Sequence, residues 1–211
     1  MTARSEGPNL MFAFRLRNVL YTRLFRVLFA RRFAAFGRGT NVLFPDSIEG
    51  AQNISLGNDV LVGARSLLAA RPVVPGNTPE LSIGDGCRLG RANHIYATGR
   101  IEIGRKVLTA NNVYIADNRH AYEDQQTPVM DQPVIQLDPV VIGAGTWIGH
   151  GAAVVGASVG RNCVIGAGAF VTSDVPDHCV VVGAPARIVK RHDPVSDTWL
   201  PTYPDGKFRK E

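Results

Sequence analysis

An aliphatic residue followed by glycine recurs along this chain at Leu56-Gly57, Val62-Gly63, Ile83-Gly84, Leu89-Gly90, Ile103-Gly104, Ile142-Gly143, Ile148-Gly149, Val159-Gly160 and Ile165-Gly166, and four of the eight successive gaps are six residues. A small or acidic residue in the glycine place adds Ile48-Glu49, Leu68-Ala69, Ile115-Ala116 and Val171-Thr172 to the same phase. A helix needs a period of about 3.6 and an ordinary strand needs alternation over several residues, so neither produces a six-residue beat. Each unit is read as one short strand and a corner. Glycine at the corner permits backbone angles that a Cβ disfavours, and the aliphatic residue beside it points inward onto its equivalent in the next coil. Three units close a triangular turn of about eighteen residues, which predicts about six coils over residues 42–120 and 140–182.

Two departures from the beat carry information. Ile148 and Val159 stand eleven apart where two units need twelve, so a corner within VVGAS must be tightened. The stretch 121–139, AYEDQQTPVMDQPVIQLDP, is polar, proline-punctuated and off-phase. A long loop extruded from a regular solenoid is more often functional than accidental. It starts directly after His120.

Composition narrows the classes. With 45% hydrophobic and 19% charged residues the chain suits a folded domain and excludes disorder. The cysteines, Cys87, Cys163 and Cys179, are odd in number and form no CxxC pair, so neither a disulfide framework nor a zinc knuckle is expected. The net charge of +5 is unevenly placed: residues 1–45 hold eight Arg and one Glu, leaving the remainder mildly acidic. Residues 9–36 carry Leu, Phe and Arg with no Gly or Pro, which predicts an amphipathic helix. On a helical projection of residues 10–28, Leu10, Phe14, Leu16, Leu20, Tyr21, Leu24, Phe25, Val27 and Leu28 share a broad face, with Arg15, Arg23 and Arg26 opposite and Arg17 intruding. Its uncharged apolar runs are too short for a membrane span or a signal-peptide core, so a cytoplasmic chain is expected. Two readings of the segment stand: peripheral contact with an anionic membrane, or packing on the body or a neighbouring subunit.

ISLGNDVLVGAR, IEIGRKVLTANNVYIADNRHAY, VVIGAGTWIGHGAAVV and VIGAGAFVTSDVPDHCVVVGAPARIVKR together resemble the hexapeptide-repeat acyltransferases, closest to sugar and polysaccharide O-acetyltransferases of the maltose, galactoside and O-antigen kind. The resemblance implies an all-β fold, a left-handed parallel β-helix over 42–190, preceded by the basic helical segment 1–41 and followed by a tail, 191–211. It implies a homotrimer with sites between subunits, acetyl-CoA as co-substrate, no metal, and a carbohydrate acceptor in exopolysaccharide or lipopolysaccharide assembly. His120, seventeen residues after Ile103, stands where such enzymes carry their general base. A hydroxyl is a poor nucleophile until a base takes its proton during attack on the thioester, and an imidazole titrating near neutrality suits that task. Asn93 matches an asparagine that holds the reacting acetyl group. Trp147, His150, Ala167, Thr172, Ser173, Arg187 and Lys190 match positions along the CoA groove, with Ser173 where the family often has lysine. Asp117, Glu123 and Asp124 are the acids close enough in sequence to orient His120.

The histidines His94, His120, His150, His178 and His192 include no pair five apart, which argues against the zinc-binding γ-type carbonic anhydrases that share the fold. Nucleic-acid binding has only the basic segment behind it. A transferase acting on a free sugar or an antibiotic uses the same His and CoA elements, and a non-catalytic scaffold is the remaining alternative.

Overall fold

The computed structural model describes residues 10–73 and 75–209. The first nine residues of the basic segment, including the start of 9–36, and the last two of the tail lie outside the described residues. The six-residue beat becomes three columns of stacked side chains. The first runs Leu56, Ile83, Ile103, Ile142, Val159, Val175; the second Val42, Val62, Leu89, Thr109, Ile148, Ile165, Val181; the third Ile48, Leu68, Ile95, Ile115, Val154, Val171. Each column lies on one parallel sheet, and the three sheets close a prism whose core is the columns themselves. Thr109, Ile95 and Val154 lack the following glycine, so the beat in the sequence passes over them, yet all three are buried in register. A Leu or Ile fully withdrawn from water stabilises by about 1.5–3 kcal/mol, and an aliphatic of that size spans the narrow interior without a void.

The spacing shows where the prism is regular and where it is not. From the first column to the second, and from the second to the third, every step is six residues. From the third back to the first the steps are 8, 15, 8, 27, 5 and 4 residues, so all length variation falls on one edge. The shortened step from Val154 to Val159 is the tightened corner, turned by Gly156 at φ +57°. The 27-residue step contains the extruded loop. It is not shapeless: Asn118–His120 pairs antiparallel with Val134–Gln136, opposing His120 to Val134.

The helix, Leu10–Phe29, caps the first coil. Tyr21 stacks on Phe44 with ring centroids 3.9 Å apart, and Phe25 and Phe33 are buried against the open end of the core. Arg26 donates to the carbonyls of Gly37 (2.9 Å) and Thr40 (3.0 Å), and the Arg17 guanidinium lies over the Phe44 ring. The apolar face of the projection is therefore divided: Tyr21 and Phe25 pack on the body, while Leu16, Leu20, Leu24, Val27 and Leu28 stay exposed. At the other end, Arg187–Asp193 folds back antiparallel on Cys179–Val182 and Thr198–Pro201 adds to it, so the tail begins as a hairpin added to the second sheet.

Candidate active site

His120 sits at the root of the loop on the variable edge, exposed, and its ring makes no hydrogen bond among the described residues. What fixes it is the backbone beneath. Asp117, fully buried, accepts from the Thr98 N–H (2.8 Å) and hydroxyl (3.1 Å), the Gly99 N–H (2.8 Å) and Asn118 Nδ2 (3.2 Å). Gln136 ties the returning strand to the same point, donating from Nε2 to the Asp117 carbonyl (2.8 Å) while its Oε1 accepts from the Thr98 hydroxyl (2.9 Å) and Asn77 Nδ2 (2.7 Å). The two chains of the loop are thereby held to the body three residues from His120.

None of the three acids singled out for orienting His120 reaches it within this chain. Asp117 has its oxygens committed to Thr98, Gly99 and Asn118. Glu123 accepts from Arg119 at 2.6 Å, which holds its carboxyl down to about 2, and also from the Tyr122 N–H. Asp124 accepts from the Gln126 N–H and the Thr127 hydroxyl inside the loop.

Asn93 is not a free donor. It takes the inward corner position that Ser66, Val113, Ala152 and Ala169 hold in other coils, and it is 1% exposed. Both Nδ2 hydrogens are used, on the Gly90 carbonyl (2.9 Å) and Thr109 Oγ1 (2.7 Å), while Oδ1 accepts from the Val113 N–H (2.8 Å). In this arrangement Asn93 fills a corner, with both of its side-chain N–H groups engaged inside the chain.

The residues matched to the CoA groove fall into two groups. Trp147, His150 and Ala167 are exposed around the corner between the second and third columns, where the Gly168 N–H donates to the His150 carbonyl (2.8 Å). Gly151 and Gly168 turn this corner in successive coils at φ +66° and +67°, and a Cβ on either would meet open space, so the backbone there lies open to a slender ligand. Thr172, Ser173 and Arg187 gather at a cavity of about 420 Å³, with Pro204 and Asp205 of the tail forming part of its wall. This cavity stands on the edge that carries His120, two coils farther on, or roughly 10 Å. Lys190 is opposite Val180 on the folded-back strand, outside that cavity. A whole face of the prism separates the His150 corner from His120. Among the described residues no group of His, Cys, Asp and Glu could hold a metal ion.

Comparison with known proteins agrees with this architecture. Residues 139–173 match a family model described as the hexapeptide repeat of succinyl-transferase. A Mycobacterium tuberculosis protein named a probable acetyltransferase is 35% identical over 179 residues, covering 82% of this chain. The chain belongs to the hexapeptide-repeat acetyltransferases. Its coil is accordingly the left-handed parallel β-helix of that family, expected from the beat and the resemblance together. The match spans 56% of the Mycobacterium protein's own length. A second relative, provisionally named the Escherichia coli lipopolysaccharide biosynthesis O-acetyl transferase WbbJ, is 28% identical over 195 residues, which is 87% of this chain and 90% of that one. Among solved structures, the Bacillus cereus N-acyltransferase AntD, in complex with dTDP and 3-hydroxybutyryl-CoA, superposes with a TM-score of 0.65 at 18% identity, covering 79% of this chain and 87% of that one. At that identity the likeness is one of fold alone.

Proposed function

We propose that this chain is an acetyl-CoA-dependent O-acetyltransferase acting on a sugar hydroxyl in exopolysaccharide or lipopolysaccharide assembly, with His120 as general base. The observation that carries the reading is His120 itself: an unpaired, exposed imidazole at the root of the loop, on a backbone anchored by Asp117 and Gln136. In the reaction the imidazole takes the hydroxyl proton as the sugar oxygen attacks the thioester carbonyl. The C–S bond then breaks, the acetyl group leaves as an ester, and the thiolate of CoA takes up a proton. Transfer is direct, because Cys87, Cys163 and Cys179 are all buried, and burial raises each of their thiol pKa values.

The working unit is a homotrimer in which the His120 edge of one copy faces the His150 and Ala167 corner of the next. Two observations support this: the two halves of the CoA groove stand on different edges of one chain, and Leu108 and Trp147 present adjacent exposed apolar side chains on the outer surface. Gly151 and Gly168 would pass the pantetheine arm, and Arg187 would meet a CoA phosphate by charge-assisted hydrogen bonds. Replacing Arg187 by alanine is expected to weaken acetyl-CoA binding about tenfold, with kcat at saturation nearly unchanged. Calorimetric titration together with steady-state kinetics checks this, and equal affinities would remove Arg187 from the groove. The enzyme is placed on the cytoplasmic side, in peripheral contact with an anionic membrane through residues 9–36.

A further inference from the structure

The helix that caps the solenoid turns its more apolar side away from it. Phe12, Leu16, Leu20 and Leu24, four residues apart, form one row with Val27 beside it, and Val19 lies on the adjoining row with Arg23 between it and Val27; the six apolar residues are 46 to 77% exposed. A contiguous row of this kind marks an interaction surface. The charge around it says what the surface meets. Residues 10–45 contain seven Arg and no Asp or Glu, and none of these arginines forms an ion pair among the described residues. Arg17 and Arg26 are engaged on Phe44, Gly37 and Thr40; of the other five, Arg15, Arg23, Arg31 and Arg32 lie on the helix and the turn after it and are left for an external anion, with Arg38 beyond them on the first coil.

We propose that Leu10–Phe29 lies flat in the interface of an anionic bilayer, with Phe12, Leu16, Leu20, Leu24 and Val27 among the acyl chains and Arg15, Arg23, Arg31 and Arg32 on lipid phosphates. Apolar area and basic charge on one helix without acidic neighbours are the two requirements of such binding. The helix is about 30 Å long, but no helix among the described residues is apolar enough to cross a membrane, so it rests on the surface. A second copy as the occupant would bring the same arginines against these. Because Tyr21 and Phe25 hold the other side of the helix to the first coil, that coil becomes the membrane-proximal end of the solenoid. The inference rests on the membrane contact proposed above and is independent of the transfer chemistry.

The test uses the full chain with vesicles of equal phosphatidylglycerol and phosphatidylcholine, compared with phosphatidylcholine alone. The parent protein is expected to co-sediment with the anionic vesicles at least about tenfold more strongly than with neutral ones, and to be released by salt. The double substitution Leu20→Glu, Leu24→Glu is expected to weaken that binding by at least about tenfold while leaving the oligomeric state and acetyl-CoA affinity unchanged. A second variant does not depend on tolerating two charges. Val27→Cys, carrying an environment-sensitive dye, should shift to the blue on anionic vesicles, whereas a dye at Val195→Cys should not. The native cysteines are buried, which directs the label to the introduced thiol.

The results separate the failures. No vesicle binding by the parent protein would overturn the membrane contact itself. Binding that survives the double substitution, with no dye shift at position 27, would leave the contact and overturn this face. Dissociation of the oligomer by the double substitution would assign the face to a second copy instead.

Discussion

Replacing His120 by alanine is expected to lower turnover by about 10²- to 10⁴-fold while acetyl-CoA affinity stays within about twofold. The size follows from what the imidazole does. It removes a proton from a hydroxyl as the new C–O bond forms, and without it the hydroxyl must attack unassisted or lose its proton to water. The affinity stays because His120 is two coils from the cavity formed by Thr172, Ser173 and Arg187, and its ring holds no other part of the chain in place. For the same reason the variant should melt with the parent protein. Single-turnover kinetics with calorimetry separates the two quantities. Turnover equal to that of the parent would remove the base, and a parallel loss of affinity would make His120 a binding residue.

The second large effect is expected at Asp117, on stability. Its carboxylate is fully buried and receives four donors, two of them the main-chain N–H groups of Thr98 and Gly99. Alanine there would strand those groups at about 1–3 kcal/mol each, and the Thr98 and Asn118 side chains would lose partners as well. A total of about 3–5 kcal/mol corresponds to a fall in Tm of roughly 10 °C for a chain of this size. Asparagine should be milder, since it keeps one acceptor oxygen for the Thr98 N–H and loses the charge. Alanine at the exposed Asp131 of the loop should stay within about 0.5 kcal/mol. Thermal melts of the three variants check the order, and an Asp117→Ala protein as stable as the parent would show that the hub is not needed to close the coil.

The contrast between His120 and Asp117 shows what a sequence of this kind makes visible. The columns were legible because the glycines are forced by geometry, though not by the backbone angles expected of them: none of the nine that follow an aliphatic residue has positive φ, and a Cβ on any of them would come within 3 Å of the next coil. Thr109, Ile95 and Val154 escaped the pattern because Ala110, Tyr96 and Val155 stand where the marker glycine would follow them; the corner after Thr109 is turned by Asn112 at φ 59° and that after Val154 by Gly156. His120 was visible from its spacing after Ile103 and from the loop that follows it. The engagement of Asn93 was not legible, because the inward corner position accepts any small residue whose polar atoms can be satisfied. An amide meets that condition here through Gly90, Thr109 and Val113.

The part Asp117 plays in the fold was hidden, because nothing local reveals that its main-chain donors come from residues 18 and 19 positions earlier, in the preceding coil. Gln136 was hidden for the same reason, lying within a loop whose polar, proline-containing composition suggested no pairing. The helix was legible in kind, and its orientation was left open. A projection shows which residues share a face, but it cannot say which side the body occupies. Here Tyr21, Phe25 and Arg26 reach aromatic and carbonyl partners on the first coil, which turns the leucines outward.

On the function proposed, this solenoid binds acetyl-CoA in a groove completed by a second copy. Calorimetric titration of acetyl-CoA into the full chain, with the oligomeric state fixed by sedimentation in the same buffer, tests it without knowledge of the acceptor. One site per chain with a Kd on the order of micromolar, in a trimer, is the predicted result. A folded trimer that takes up no acetyl-CoA, or a folded monomer that binds it with the same affinity, would contradict the account.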